Sequence, residues 1–188
     1  QRFATPLART RRHGVAGRVL CGHACSLAVR PEAEVARALE DAGAAGLALT
    51  VLPTTNGWLQ DARAGRTPRL RGLAPMQEAR AAGVRVLVAL DNVRDAFYPF
   101  GEYDLLDAWR LAVLNAHLDP AAWLDAITEA PARALGLPVP RLAEGAPADF
   151  LLVEATDPAD LVTRARARID VRRAGRPLAA APATLETA

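Results

Sequence analysis

The sequence predicts an α/β protein built on a parallel sheet, and three observations carry that expectation. Three strand–loop–helix stretches follow one another, each roughly 30–40 residues long, which is the spacing of βα repetition with right-handed crossovers. The apolar run at 84–90 is almost unbroken, the pattern of a strand buried on both faces, and the stretches at 17–23 and 46–52 read as a short strand and a second apolar strand. Polar residues stand at the carboxyl end of all three: His23, Asn56 with Gln60, and Asp91 with Asn92. In parallel α/β proteins, ligands are held at that end.

Taken in order, 3–12 reads as the end of a helix, stopped by His13-Gly14 in the manner of a glycine C-cap. The first strand, GRVLCGH, delivers His23. An amphipathic helix over 31–42 follows, with Val35, Ala38 and Leu39 on one face and Gly43 at its end. The second strand, 46–52, runs into a polar loop from Pro53 through Trp58 and Gln60 to Pro68. A helix over 74–82, closed by Gly83, leads to the third strand, VRVLVAL, which ends at Asp91. Beyond the aromatic loop 94–99, a long helix over 104–118 carries Leu105, Trp109 and Ala112 at helical spacing. A second begins at Asp119-Pro120, with Trp123 and Ile127 facing inward and a kink over 128–132. The stretch 145–149 is a turn and 149–153 a strand. Residues 168–173 and 176–179 form a hairpin across Ala174-Gly175, and 180–188 read as frayed.

Composition narrows the function classes. With 188 residues and 51% apolar content, the chain can bury a real core. All 23 basic residues are arginine, which excludes Schiff-base lysines and a Walker A lysine. The arginines are interleaved with acids, so no nucleic-acid stripe is expected. No apolar run is long enough to cross a membrane. Cys21 and Cys25, without a signal peptide or a zinc pattern, read as reduced thiols of a cytoplasmic protein. No glycine-rich phosphate turn follows a strand, and the H-x-E with P-C-x-x-C signature of the zinc nucleoside deaminases is absent.

Two residues stand out on position alone. Asp91 is either a metal ligand or acid–base group at a strand end, or a cap for the segment that follows. His23 is either a functional imidazole or a histidine satisfied by backbone. Cys25 lacks any acyl-transfer constellation and reads as pocket lining. Trp109 and Trp123 read as core, whereas Trp58 lies in a loop that can line a pocket. Arg94 and Asp95 read as a structural pair beneath the aromatic loop.

Four stretches, in order, resemble the carboxyl-terminal half of a cytosine-deaminase-like enzyme of the amidohydrolase superfamily: GRVLCGHA, NGWLQDAR, LDNVRDAFYPFGEYDLLDAWR and EGAPADFLLVEA…RIDVRRAGRPL. The third is the most specific. The resemblance implies the last three βα units of a (β/α)8 TIM-type barrel over 1–140 and part of a small β-sandwich over 141–188. It implies that Asp91 ends the eighth barrel strand, binds the metal and shuttles protons. It places His23 at the end of the sixth strand, near the metal-bound water and the substrate. Asn92 stands where cytosine deaminase itself carries a second aspartate, so cytosine is not fixed as the substrate. Phe97 stands where an aromatic commonly closes the pocket, and Trp58 and Gln60 can reach the substrate.

The implied activity is metal-dependent hydrolytic deamination of a cytosine-like or related cyclic amidine, with one divalent ion, zinc or iron. The His-x-His pair and the histidine of the family's His-x-x-Glu motif are absent, so the remaining ligands are expected outside these residues. The expected partners are a small-molecule substrate and the amino-terminal half of the barrel, with room left for a homo-oligomer. The chain opens at Gln1, in mid-helix, as expected if a preceding portion lies elsewhere. Two other readings remain at this point: a non-catalytic remnant or interaction module of the same fold, and an unrelated α/β small-molecule binder.

Overall fold

The structure, a computed structural model, describes residues 4–70, 73–164 and 169–178. The chain divides into two compact units, Gln1–Val139 and Pro140–Ala188.

The first unit is organised on three parallel strands, β1 (Leu20–Gly22), β2 (Ala48–Val51) and β3 (Arg85–Val88), in the order β1-β2-β3. Leu20 is opposite Ala48, and Ala48 opposite Arg85. The ladder continues past the strand ends: His23 N–H donates to the Thr50 carbonyl and Ala89 N–H to the Val51 carbonyl, each at 3.0 Å. Helix α1 (Ala4–His13) precedes β1, and α2 (Glu32–Ala44) joins β1 to β2. Helices α3 (Pro53–Leu59) and α4 (Met76–Ala81) lie between β2 and β3, with α5 (Leu105–Ala116) and α6 (Glu129–Leu135) after β3.

The unbroken apolar runs have their reason in burial. Leu49 and Val51 of β2, Val86 and Val88 of β3, Leu39 of α2 and Met76 of α4 are all almost wholly removed from solvent. Each large side chain so buried contributes about 1.5–3 kcal/mol. Ala130 of α6 packs with Ala48 and Leu87, the two alanines letting the helix approach the sheet. Trp109 of α5 is fully buried and donates its indole N–H to the Trp123 carbonyl at 3.1 Å. Arg80 of α4 lies over the Trp123 ring, 3.5 Å from its centroid, and reaches Asp125 at 2.7 Å. Leu20 of β1 is by contrast about half exposed, and β1 and β3 each pair on one side only among the described residues.

The second unit holds β4 (Phe150–Val153), α7 (Pro158–Thr163), β5 (Ile169–Arg173) and β6 (Arg176–Pro177), the strands antiparallel in sequential order. Ala174 and Gly175 both have positive φ, 49° and 75°, as a two-residue hairpin turn that follows the sheet's twist requires. The Asp149 carboxylate accepts from Ala174 N–H at 2.7 Å.

Several expectations are corrected. The polar stretch after the second strand is helix α3, not loop, over Pro53–Leu59. Helix α2 continues through Gly43 to Ala44. The helix expected from Pro120 is a set of turns and a 3-10 turn, Leu124–Ile127, before α6; Ala126 is buried there while Ile127 is only partly so. Helix α7 was not anticipated, although Asp157 caps it by accepting from Asp160 N–H at 2.8 Å, with Pro158 as its first residue. Strand β3 stops at Val88, so Asp91 sits beyond the strand proper. Arg94 and Asp95 do not pair: Arg94 binds Glu102 and the Gly101 carbonyl, and Asp95 binds Asn92 and two backbone amides. Phe3, Arg168 and residues 179–188 lie outside the described residues.

Candidate active site

At the exit of β1 the backbone turns left-handed at His23 (φ 64°) and Ala24 (φ 52°). The His23 imidazole is about half exposed, and its Nδ1 lies 2.9 Å from Oδ1 of Asn56. A carbonyl oxygen only accepts, so this contact is a hydrogen bond in the tautomer that carries the proton on Nδ1, which leaves Nε2 bare. Asp91 Oδ2 stands 3.9 Å from that Nε2, too far for a direct hydrogen bond.

The middle strand supplies the support. Helix α3 starts directly after β2 and buries Pro53, Thr54, Thr55 and Asn56. Thr55 Oγ1 accepts from the backbone N–H of Asn92 at 3.1 Å, next to Asp91. The Asn92 side-chain amide donates to Asp95 Oδ2 at 2.5 Å, and Asp95 Oδ1 accepts from the N–H groups of Phe97 and Tyr98, each at 2.9 Å. These donors, Asn92 foremost, hold the Asp95 carboxyl below the usual carboxylate range. The aromatic loop is therefore wound around one carboxylate.

His23, Asp91 and Asn92 are thus brought together through Thr55 and Asn56. Trp58 is placed elsewhere in the same region: it packs edge-on against Phe100 (5.0 Å between centroids) and Tyr98 (6.4 Å). The three rings, with Thr54, Leu111 and Asn115, line a cavity of about 390 Å³. Phe97 lies outside this ring cluster and is 62% exposed. Gln60 is partly buried, with its N–H on the Asn56 carbonyl and its side-chain Nε2 buried without a partner among the described residues. A larger cavity of about 910 Å³ lies between α2 and α4 and contains none of these residues. The convergent polar groups lie instead at the strand ends, where parallel α/β sheets hold their ligands.

As a metal site the arrangement is partial. Nε2 of His23 and a carboxylate oxygen of Asp91 are donors that zinc accepts. Among the described residues, however, no group of three or more histidine, cysteine or acidic side chains comes together. Burial pushes the Cys21 thiol up, away from the thiolate that a ligand or nucleophile requires. The strand-end pattern in the sequence pointed to His23, Asp91 and Asn56. Thr55 carried no signal of its own, since its bond to Asn92 spans 37 positions.

Residues 2–178 match the amidohydrolase family. A pterin deaminase from Rhizobium rhizogenes is 40% identical over 168 residues, covering 88% of this chain and 38% of that protein. The structure of 5-methylcytosine deaminase from Klebsiella pneumoniae, liganded with 5-fluorocytosine, superimposes with a TM-score of 0.81 at 28% identity, covering 92% of this chain and 43% of that one. A mutant atrazine chlorohydrolase from Arthrobacter aurescens, complexed with zinc and atraton, gives a TM-score of 0.61 at 26% identity over 89% of this chain and 38% of that one. This chain therefore spans about two-fifths of the length of these relatives. The family match runs almost end to end and agrees with the four stretches of sequence that first implied it: the chain belongs to the amidohydrolase family.

Proposed function

We infer that these residues are the carboxyl-terminal βα units and part of the small sandwich of an amidohydrolase barrel, and that with the remaining units they hydrolytically deaminate a cyclic amidine of the cytosine or pterin kind. The carrying observation is the pairing of two acceptors, His23 Nε2 and Asp91 Oδ2, that face each other across 3.9 Å at the exits of the two strands flanking β2. Two lone-pair groups so placed repel unless a proton, a donor or a cation lies between them. The donor types suit a divalent ion, zinc or iron, with Asp91 as the ligand from this chain and further ligands from the remaining barrel. Such an ion, when bound, supplies a water acidic enough to lose its proton near neutrality.

Asp91 accepts a proton from the attacking water and returns it to the departing nitrogen. One C–O bond forms, the exocyclic C–N bond breaks, and ammonia leaves. His23, through its bare Nε2, accepts a hydrogen from the water or the substrate and orients it. Asn92, Phe97, Trp58 and Gln60 surround the base. Both named relatives with a base substrate are deaminases, which supports the reaction class. Ammonia release from pterin and from 5-methylcytosine, by the protein carrying the remaining barrel units, tests the reading. Asp91→Asn should lower turnover at least about 10²-fold with the fold retained, the scale of a positioned proton-transfer group. Turnover within a few fold of the parent would overturn it.

A further inference from the structure

We propose that Asn56 is a positioning residue that holds His23 in the tautomer opposite to the one Asp91 favours. The inference rests on His23 and Asp91 being the acid–base pair, but its test does not depend on turnover. Considered alone, the carboxylate 3.9 Å from Nε2 favours a proton on Nε2, so that the imidazole donates towards Asp91. That form turns His23 into a donor and ties up the Asp91 oxygen. Asn56 Oδ1, 2.9 Å from Nδ1, requires the proton on the other nitrogen. The amide is the stronger constraint: it is 95% buried, on the first turn of a helix whose start is fixed to β2, and it is within bonding distance while the carboxylate is not.

The position of the brace follows from the sheet order. The middle strand's exit lies between those of β1 and β3, so consecutive residues of α3 reach both neighbours, Thr55 to Asn92 and Asn56 to His23. The Asn56 Nδ2 is buried without a partner among the described residues, a cost that only the Oδ1 contact offsets.

In the protein carrying the remaining barrel units, isotope-labelled histidine gives a spectrum in which the His23 signals are assigned by their loss in His23→Gln. In alkaline buffer, nitrogen shifts and their long-range proton couplings should show His23 with Nδ1 protonated and Nε2 bare. Asn56→Asp keeps the acceptor and should keep that tautomer. Asn56→Leu should convert most His23 to the Nε2–H form, and the buried Trp109 indole N–H signal, held by Trp123, reports that the variant is folded. A parent spectrum with the proton on Nε2, or on both nitrogens, would overturn the proposal without reference to any variant. So would a folded Asn56→Leu variant whose tautomer is unchanged. The predicted tautomers with no deaminase turnover would sustain this inference and reject the proposed function.

Discussion

Gly43→Ala sets two well-scaled effects against each other. Gly43 lies inside α2, where alanine is the better helix former by roughly 0.5–1 kcal/mol. A methyl group there would stand 2.0 Å from the Ala82 carbonyl oxygen, 3.2 Å from the Ala82 carbonyl carbon and 3.5 Å from that of Gly83. Real contacts of this kind do not fall below 3.0 Å, so the carbonyl must retreat by at least 1.0 Å (3.0 less 2.0). It is backbone at the end of α4, immediately before Val84, which is buried, and β3. Nothing flexible is available to move. Overpacking of a close-packed site costs about 1–3 kcal/mol, and a rigid neighbour puts this case in the upper part of that range. We therefore expect a net loss of about 1–2 kcal/mol after the gain in propensity. Urea unfolding followed by tryptophan emission measures it, since Trp109 and Trp123 are buried in the same unit. Ala36→Gly, at an exposed position of α2, gives the propensity effect alone. A Gly43→Ala variant as stable as the parent would refute the close approach of α2 to α4.

Three further outcomes follow from the loops. Asp61 is held down to about 2 by the N–H of Arg69, then by the Arg66 guanidinium and the N–H of Leu70. A depressed carboxyl stabilises above its ordinary range and loses that contribution as pH falls, so amide protection of Arg69 and Leu70 should persist to about pH 4 and vanish on approach to about pH 2; protection that is flat across this window would exclude the clasp. Asp95→Ala removes the acceptor for Phe97 and Tyr98 N–H and should loosen the Trp58–Tyr98–Phe100 cluster, raising acrylamide quenching of Trp58 with little change in global unfolding. Ala174→Asn should stabilise the second unit's hairpin by roughly 1 kcal/mol or less, because Ala174 has φ 49° and asparagine before glycine suits that turn; a loss of stability would contradict the turn geometry.

The parts of the fold written in contiguous residues were legible from sequence. The strands at 46–52 and 84–90 announced themselves as apolar runs because a parallel strand covered on both faces has no polar side, whereas β1, with Leu20 about half exposed, is a shorter signal. His23 and Asp91 were legible as neighbours at one end of the sheet because each follows a strand of the same parallel set. Helix α3 was not legible: Pro-Thr-Thr-Asn-Gly has poor helix propensity, and its helix forms because four consecutive residues are buried beside the sheet, which outweighs local preference. The segment after Pro120 failed in the opposite sense. Its composition favours helix and Asp119 even offers an N-cap bond to Ala122 N–H at 2.7 Å, yet Arg80 pins the Trp123 ring from α4, a contact across 43 positions that local sequence does not announce. The bond between His23 and Asn56 spans 33 positions, and no local pattern encodes it.

The backbone at His23 adds a separate argument that this strand exit is built for more than packing. His23 and Ala24 occupy the left-handed region in succession, and for alanine that conformation costs about 1–2 kcal/mol. Glycine removes such strain, but the nearby glycine is Gly22, whose φ is not positive, and alanine stands where glycine would be at ease. The turn is held by its bonds: His23 N–H on the Thr50 carbonyl at 3.0 Å, Ala24 N–H on Gly22 at 2.9 Å, and Leu27 N–H on the Ala24 carbonyl at 3.0 Å. Strain of this kind persists where the surroundings over-determine a residue's aim, and it clusters at functional sites. Here the over-determined residue is the one whose Nδ1 meets a buried amide and whose Nε2 faces Asp91. The left-handed turn and the half-exposed ring together are the geometry expected if His23 presents one chosen nitrogen to a reacting molecule, as proposed above.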